Sequence, residues 1–192
     1  MAGGKLQNAR AEVEGEAQMN LPVENDSGEE VFDVVDRLDQ VIGQAPRSRV
    51  HEQGLLHRAV HVFVFNSRGQ LLLQRRSASK DEYPLRYTSS ASGHLETGES
   101  YLEAAIRELK EELGLDGGLE YQTTLPAGPA TANEHSALYV LHSDTTPVFD
   151  PIEILDGQYL DLSTVRQQME REPDVFTPPF RELLRWFLDH NR

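Results

Sequence analysis

The stretch GHLETGESYLEAAIRELKEELGL, residues 93–115, decides the fold. It opens with a glycine-containing loop and continues as the strongest helical pattern in the chain, which Gly114 is expected to end in the left-handed conformation. Four apolar residues of this helix are spaced four, three and four positions apart, so we expect one apolar stripe facing a core: Leu102, Ile106, Leu109 and Leu113.

Three glutamates of the same helix crowd a different face. Glu108, Glu111 and Glu112 stand at positions i, i+3 and i+4, which makes their carboxylates neighbours. Like charges this close repel one another unless a cation lies among them. Hard divalent ions such as Mg²⁺ or Mn²⁺ prefer carboxylate oxygens. The ordinary explanation of such a pattern is an acidic helix face exposed to solvent. The loop before the helix makes a metal site the better explanation here.

The loop adds features that favour a metal site. Gly93 and Gly98 allow a tight turn, and Gly93 can bring its backbone carbonyl close to the same ion. Glu99 lies just before the helix, where the helix dipole favours an anion. Arg107 lies beside the glutamate face and can pair with Glu99 or Glu103. These features favour a divalent cation among the three glutamates over a solvated acidic face.

The whole pattern resembles a complete Nudix box. Its fixed positions are Gly93, Glu99, Arg107-Glu108-Leu109, Glu111-Glu112 and Gly114-Leu115. The resemblance implies an α/β Nudix fold, in which a mixed β-sheet is sandwiched between helices and the box forms a loop–helix–loop. It also implies Mg²⁺, with Mn²⁺ as a substitute, bound by Glu108, Glu111 and Glu112 with the Gly93 carbonyl. Members of the family cleave a nucleoside diphosphate that is linked to another moiety.

Phosphoanhydride chemistry fits these residue types. Divalent metals neutralise the charge that builds on the phosphoryl oxygens and on the leaving group. A glutamate of the cluster, or one on a later loop, would take the proton of the attacking water. The expected catalytic residues are the three box glutamates, with Arg107 and Glu99 orienting them.

A longer stretch, LHRAVHVFVFNSRGQLLLQRRSASKDEYPLRYTSSASGHLETGES, resembles the isopentenyl-diphosphate isomerase branch of this superfamily. Those isomerases need a cysteine just before the Gly-His pair, where this chain has Ser92, and the chain has no cysteine at all. A serine hydroxyl is a much poorer proton donor and acceptor than a thiol near neutral pH. The isomerases also tend to have a degraded box. We therefore prefer a hydrolase, with an isoprenoid-diphosphate enzyme and a non-catalytic nucleotide-binding module as alternatives.

Basic residues cluster between the hairpin and the box. Arg75, Arg76, Lys80 and Arg86 fall within twelve residues. The resemblance implies that Arg76 and Lys80 contact the substrate diphosphate, and Arg75 is a further candidate for substrate binding. A bidentate arginine and a flexible lysine suit a polyphosphate. The alternative is that Arg75 and Arg76 only solubilise an edge strand.

The histidines raise the question of a second metal site. His57 and His94 match positions where the isomerases place metal ligands, and His51 is close enough in sequence to be a third. Glu134 resembles one of two later acidic ligands, whereas the other matching position is Ala132. Because a histidine near a strand start is more often a satisfied polar group, the box glutamates are the preferred metal site.

Composition bounds the remaining possibilities. The chain has 192 residues, with 32 Asp and Glu against 18 Lys and Arg, a formal net charge of −14. Residues 1–28 lack aromatic residues and predict a disordered acidic tail, and residues 29–192 predict a single Nudix domain. The acid excess argues against nucleic-acid polymers as partners. No apolar run reaches the roughly 20 residues of a membrane span, and no signal-peptide stretch is evident, so we expect a cytoplasmic protein with a small-molecule phosphoanhydride substrate.

The other segments predict strands in runs, followed by helices. EEVFDVVD and RLDQVIGQ indicate two short strands, and HRAVHVFVFN-SRG-QLLLQRRS indicates a β-hairpin. LEYQTTLP, HSALYVLHS and DGQYLDL indicate later strands. STVRQQMER and PPFRELLRWFLDHN indicate two helices, and the apolar residues of the second are expected in the core or at a contact between subunits, which leaves a homodimer open.

Overall fold

The computed structural model describes residues 29–191. The predicted acidic tail, residues 1–28, lies outside the described residues. The division into a tail and one domain therefore stays a prediction.

The described part of the chain contains nine strands and four helices. In chain order they are β1 (Val31–Val35), β2 (Val41–Pro46), α1 (Arg47–Gln53), β3 (His57–Phe65), β4 (Gln70–Arg76), β5 (Tyr87–Thr88), β6 (Ala91–His94), α2 (Tyr101–Leu113), β7 (Glu120–Leu125), β8 (Glu134–His142), β9 (Ile154–Asp161), α3 (Leu162–Arg171) and α4 (Pro178–His190). Short 3₁₀ turns lie at Pro129–Thr131 and Pro173–Val175. The predicted strands, the box helix and the two terminal helices are confirmed.

The strands form a small hairpin and one larger mixed sheet. Strands β1 and β2 pair with each other in antiparallel orientation. The larger sheet has seven strands, with the order β5-β4-β3-β8-β7, and with β6 paired to β3 and β9 paired to β4. Only the pairing of β3 with β8 is parallel among the described strands.

Side chains that alternate along β3 face two separate cores. Val60, Val62 and Val64 pack on one side with residues of α2, such as Leu109. Phe63, on the other side, packs with residues of α3 and α4. Because successive residues of a strand point to opposite faces, the sheet buries both of its surfaces. The predicted α/β Nudix fold, a mixed sheet sandwiched between helices, is confirmed.

Helix α2 begins and ends as its sequence predicts. Ser100 caps its start, where its hydroxyl accepts from the backbone N–H of Glu103 and the Glu103 carboxylate accepts from the backbone of Ser100. Gly114 ends the helix in the left-handed conformation with φ 64°. None of the described helices is both long enough and apolar enough to cross a membrane.

The predicted apolar stripe of α2 is wrong in its register. Leu109 and Leu113 are buried, but Leu102 and Ile106 are 46% and 49% exposed. Small side chains at Ala104 and Ala105 form the other part of the buried face, together with the carboxylate of Glu112: the buried set is Ala104, Ala105, Leu109, Glu112 and Leu113. The helix therefore turns one of its glutamates toward the sheet, and the three glutamates do not share a single solvent-facing surface.

Strands β3 and β4 are joined by a tight turn, as predicted, but they separate immediately after it. Phe65 and Leu71 are their one paired position. Beyond that pair, the hydroxyl of Ser90 accepts from the Val64 N–H at 2.8 Å and donates to the Leu72 carbonyl at 2.6 Å. Ser90 thus occupies the gap in the hairpin, and the strand that follows it, β6, carries the start of the box into the sheet.

Candidate functional site

A cavity of about 310 Å³ lies where the box helix meets the end of β6. We call it the acidic pocket. The four predicted metal ligands all line it: Gly93, Glu108, Glu111 and Glu112. Arg76, Lys80 and Arg107 line the same cavity. The structure therefore gathers most of the predicted site residues around one space.

Arg107 organises the carboxylates of the pocket. Its Nε and Nη2 donate to the two oxygens of Glu99 at 3.0 and 2.9 Å. Its Nη1 donates to Glu108 at 2.7 Å and to Glu111 at 3.3 Å, and its Nη2 also donates to the carbonyl of His94 at 3.0 Å. The hydrogen bonds that Arg107 donates to Glu99, and the nearby negative charges, raise the pKa of Arg107 against the effect of burial. Arg107 and Glu99 thus hold the positions that orient the other glutamates.

Glu112 is the most buried carboxylate of the box, at 4% exposure. Its Oε2 accepts from the backbone N–H of Ser92 at 3.0 Å and from the amide of Gln74 at 2.9 Å. Burial, followed by the charge of Glu108, raises the pKa of Glu112 to about 8. Burial also raises the pKa of Glu108, although Arg107 opposes that effect. Two desolvated carboxylates side by side form a site that a cation would stabilise.

Gly93 leaves the space that the Glu108 carboxylate occupies. A Cβ atom at Gly93 would lie 1.9 Å from Glu108 Oε1, so any larger residue there would displace this carboxylate from its present position. The backbone of β6 therefore lies directly against this carboxylate. Such an approach is needed if the Gly93 carbonyl and Glu108 are to bind the same metal ion. Oxygen donors of this number and charge fit Mg²⁺.

The predicted substrate cations do not all reach the cavity. Arg76 lines it and donates from Nε to the Glu82 carbonyl at 3.0 Å. Lys80 lines it and forms an ion pair with Glu153. Arg75 instead pairs with Asp156 and lines neither this cavity nor the smaller one beside it.

Sequence reasoning missed several residues of the acidic pocket. Arg47, Asp150 and Glu153 line it. Asp150 and Glu153 come from the loop before β9, where the Asp150 N–H donates to the Glu112 carbonyl at 3.0 Å. Nothing in their local sequence distinguishes them. Glu153, for example, pairs with Lys80, which lies 73 positions away in the sequence.

A smaller cavity, about 50 Å³, adjoins the acidic pocket. We call it the inner pocket. Both cavities are lined by Arg76, Ser92, Gly93 and His94. His61, Glu82 and Glu134 line the inner pocket alone.

The histidines that matched isomerase ligands converge beside this inner pocket. Ligand atoms of His51, His57 and His94 lie within 4.8 Å of one another. His57 begins β3 and pairs with Glu134, which begins the parallel strand β8. His94 Nε2 lies 3.2 Å from Glu134 Oε1. Ala132, the other matching position, offers no ligand atom.

The surroundings of His57 and Glu134 shift the pKa of each group. The Nδ1 of His57 lies 2.9 Å from the carbonyl of Leu55, so Nδ1 is the nitrogen that donates and Nε2 keeps its lone pair. Burial, followed by the charge of His94, lowers the pKa of His57 to about 4. Burial alone would raise the pKa of Glu134, but the imidazoles of His61 and His94 hold it well below its usual range. The cluster thus offers a neutral imidazole beside an ionised carboxylate.

Known proteins resemble the chain over most of its length. An isopentenyl-diphosphate Delta-isomerase of Serratia proteamaculans is 37% identical over 163 residues, which are 82% of this chain and 90% of that protein. A Nostoc protein named as an uncharacterized Nudix hydrolase is 51% identical over 137 residues, 68% of this chain and 80% of that one.

Solved structures agree with these relatives. The crystal structure of DR0079 from Deinococcus radiodurans superposes with a TM-score of 0.73 at 31% identity, and covers 82% of this chain and 98% of that one. The NUDIX domain family model matches residues 55–187, from the loop before β3 to helix α4. The chain therefore belongs to the Nudix family, in the branch that resembles isopentenyl-diphosphate isomerases.

Proposed function

We propose that the protein is a Mg²⁺-dependent hydrolase that cleaves a phosphoanhydride bond. Its proposed substrate is a nucleoside di- or triphosphate or a related metabolite linked to a nucleoside diphosphate. The observation that carries this proposal is the complete set of box glutamates, held around one cavity by Arg107. A module that only bound nucleotides would not need all of these carboxylates.

The proposed metal ligands are Glu108, Glu111 and Glu112 with the Gly93 carbonyl, and Mn²⁺ is the proposed substitute for Mg²⁺. When bound, the ion supplies charge neutralisation for the phosphoryl oxygens and the leaving group. The protein contributes the alignment of these oxygens. Gln74 and Ser92 fix one carboxylate of the set, and Arg107 fixes two others.

The proton of the attacking water needs an acceptor inside the same cavity. Glu111 is the box glutamate with the most exposed side chain, 60%, and its neighbours are partly or fully buried. Glu153 is the glutamate on a later loop that lines the pocket. Both are within the cavity, so we propose that one of the two accepts this proton.

Two cations are proposed to bind the substrate phosphates. Arg76 lies on the shared wall of the acidic and inner pockets, and within residues 29–191 only its Nε donates a side-chain hydrogen bond. Lys80 is available if a phosphate competes with Glu153 for its ammonium group. We leave Arg75 out of the proposed set because its guanidinium pairs with Asp156 outside both cavities.

A substrate panel tests the proposal. The purified protein is incubated with nucleoside di- and triphosphates, nucleoside-diphosphate sugars and isoprenoid diphosphates, with Mg²⁺, with Mn²⁺ and with chelator. We expect release of phosphate or of a nucleoside monophosphate from at least one nucleotide, and only with a divalent ion. No product from any nucleotide over hours would contradict the proposal.

An isoprenoid-diphosphate enzyme is the second candidate, because relatives named as isopentenyl-diphosphate isomerases are 33–37% identical. Ser92 argues against isomerisation, since its hydroxyl replaces the thiol that the isomerases need. Incubation with isopentenyl diphosphate, followed by NMR, separates the two functions. Appearance of the dimethylallyl isomer would establish the second candidate in place of the first.

A further inference from the structure

We infer that Arg86 and Arg181, with Tyr83 between them, form a phosphate-binding subsite at the outer edge of the inner pocket. The subsite would take a phosphate group that the substrate carries in addition to its phosphoanhydride. The assignment of that phosphate to the substrate rests on the proposed function, whereas the subsite itself does not. Neither arginine has a part in the proposed hydrolysis.

One wall of the inner pocket is a junction between strand β5 and helix α4. Thr88 and Thr177 both line the pocket, and their hydroxyl oxygens lie 2.9 Å apart. The backbone of Tyr87 bridges that of Phe176 in parallel orientation. The Thr177 N–H also donates to the Tyr87 carbonyl at 3.0 Å. The start of α4 is therefore fixed against β5.

Each of the two elements brings an arginine to the same side of this junction. Arg86 comes directly before the bridged residue of β5. Arg181 lies in the first turn of α4, but its Nη1 reaches back and donates to the Pro173 carbonyl at 3.3 Å. Because the bridged segments are parallel, residues that precede the bridge in either segment lie on the same side of it. Arg86 and the guanidinium group of Arg181 therefore lie on one side of the junction.

Tyr83 connects both arginines to the inner pocket, which it lines. The guanidinium carbon of Arg86 lies 5.3 Å from the centre of the Tyr83 ring. Burial raises the pKa of Tyr83, and the charges of Arg86 and Arg181 oppose that rise. Both arginines thus act on one phenol, whose hydroxyl stays protonated near neutral pH and can donate to an anion.

The two guanidinium groups have donors without acceptors. Among residues 29–191, the Arg86 side chain donates no hydrogen bond and joins no ion pair. Arg181 Nε is buried and has no partner within the same range. The ion pair of Arg181 with Asp174 is long, at 3.9 Å, and the Asp174 side chain is 93% exposed. Because buried donors are nearly always paired, these groups indicate a missing acceptor.

A structural role alone does not account for these arginines. Stacking of Arg86 on a ring uses the face of its guanidinium and leaves every N–H free. The turn that Arg181 supports uses one N–H of its Nη1. Arg185, on the same helix, shows the ordinary arrangement, because it forms an ion pair with Glu182. In a chain with a net charge of −14, two neighbouring arginines without a close carboxylate are better explained by a ligand.

The donor types indicate a phosphate. Guanidinium groups match phosphate oxygens with two parallel hydrogen bonds, and two guanidinium groups balance a doubly charged phosphate. Glu82 and Glu134 line the inner pocket and would repel an anion inside it. The phosphate is therefore placed outside the pocket, against Tyr83, Arg86 and Arg181.

The position of the subsite indicates which part of the substrate would reach it. Arg76 lies on the wall shared with the acidic pocket, and its backbone N–H donates to the Arg86 carbonyl at 2.9 Å. The inner pocket, about 50 Å³, lies between the box and the subsite. A substrate whose phosphoanhydride lies at the box would thus present its other end to the two arginines. A nucleotide with a further phosphate on its ribose has this chemistry.

The first measurement uses inorganic phosphate, without metal or nucleotide. Phosphate is titrated into the full chain in the presence of chelator, and binding is followed by phosphorus NMR. The variants are Arg86→Gln and Arg181→Gln, and the matched control is Arg185→Gln, which removes another arginine of α4. Thermal unfolding without phosphate shows whether each variant is folded, and Arg86→Lys replaces Arg86→Gln if the latter is not.

We expect the wild type and Arg185→Gln to bind phosphate with the same affinity. Arg86→Gln and Arg181→Gln should each bind it at least about fivefold more weakly, because each loses one guanidinium group. Arg86→Lys, which keeps the charge but not the planar fork, should also bind more weakly than the wild type. No binding by the wild type, or wild-type affinity in the folded variants of both positions, would overturn the subsite.

A second measurement distinguishes a phosphate of the substrate from free phosphate. Calorimetry with Mg²⁺ compares adenosine 5′-monophosphate with the two adenosine bisphosphates that carry a further phosphate on the ribose 2′ or 3′ oxygen. None of these probes has a phosphoanhydride bond, so none is consumed. We expect at least one bisphosphate to bind about tenfold or more tightly than the monophosphate in the wild type, and this gain to disappear in Arg86→Gln and Arg181→Gln.

No gain from either bisphosphate, or an equal gain in the wild type and in both variants, would overturn the assignment of the phosphate to the substrate. That result would hold even if inorganic phosphate binds. Hydrolysis is assayed separately, so its absence would count against the proposed function and not against the subsite.

Discussion

Glu112 is a carboxylate in a place where a neutral side chain would be more stable. It is 4% exposed, and burial together with Glu108 raises its pKa to about 8. A protein gains nothing in stability from a desolvated charge of this kind. A second carboxylate beside Glu108 is, however, what a cation site requires.

The raised pKa of Glu112 predicts how stability depends on pH. Below its ordinary pKa of 4.5, this carboxyl is neutral in both the folded and the unfolded chain. Between pH 4.5 and about 8, the unfolded chain ionises while the folded protein keeps the proton, so the metal-free protein loses stability as pH rises. Above the pKa of Glu112 in the folded protein, stability does not fall further on account of this group.

Glu112→Gln should therefore stabilise the metal-free protein at pH 8 by about 2 kcal/mol or more, and should have little effect near pH 4.5. Thermal unfolding in chelator at the two pH values measures this difference. Glu111→Gln, which removes a carboxylate with a 60% exposed side chain, is the control and should not change Tm in this way. An unchanged or lower Tm for Glu112→Gln at pH 8 would show that burial does not penalise this charge.

Individual box residues were predictable from sequence because the helix itself brings them together. Glu108, Glu111 and Glu112 are neighbours through helical spacing alone. Glu82 and Glu153 were not predictable, since each reaches its site through contacts between distant segments. Arg75 illustrates the same limit, because its neighbour Arg76 enters the cavity while Arg75 pairs with Asp156.

At the scale of elements, the packing of α2 and the gap between β3 and β4 decide where the site forms. The strand that follows Ser90 brings Gly93 to the buried side of α2. Ser90 is fully buried and joins the two strands through its hydroxyl. The separation of the hairpin is thus bridged by one side chain.

Ser90→Ala should destabilise the protein by about 2–4 kcal/mol, because it leaves the Val64 N–H and the Leu72 carbonyl buried without partners. Chemical denaturation measures the free energy of unfolding. Ser163→Ala, on the exposed side of α3, is the matched control and should stay within about 0.5 kcal/mol of the wild type. Equal stability of the two variants would mean that Ser90 does not bridge these strands.

Elements were predicted more reliably than the contacts between them. Capping by Ser100 and Gly114 involves neighbours in sequence, so the bounds of α2 follow from local pattern. Its rotation does not, because Ala104 and Ala105 let the sheet approach one side while Leu102 and Ile106 stay exposed. Likewise, the turn after β3 was evident from the local sequence. The separation of β3 from β4 was not, because it depends on Ser90, which lies beyond β4 in the chain.

At the scale of the whole molecule, the charge of −14 does not exclude an anionic substrate. The acidic pocket is lined by seven acidic and four basic side chains, with histidine left out of the count. Without ions this surface would repel a polyphosphate, and two divalent ions would reverse its sign. We therefore expect this pocket to bind a polyphosphate only together with metal.

The central claim, that the box glutamates hold the metal that catalysis needs, is tested most directly by turnover in matched variants. The rate of product release from the best nucleotide of the panel is measured against Mg²⁺ concentration for the wild type, Glu111→Gln and Glu112→Gln. Glu170→Gln, a charge-matched change on the surface of α3, is the control. We predict a loss of about 100-fold or more in both box variants and wild-type turnover in the control. Unchanged turnover in both box variants would contradict the account.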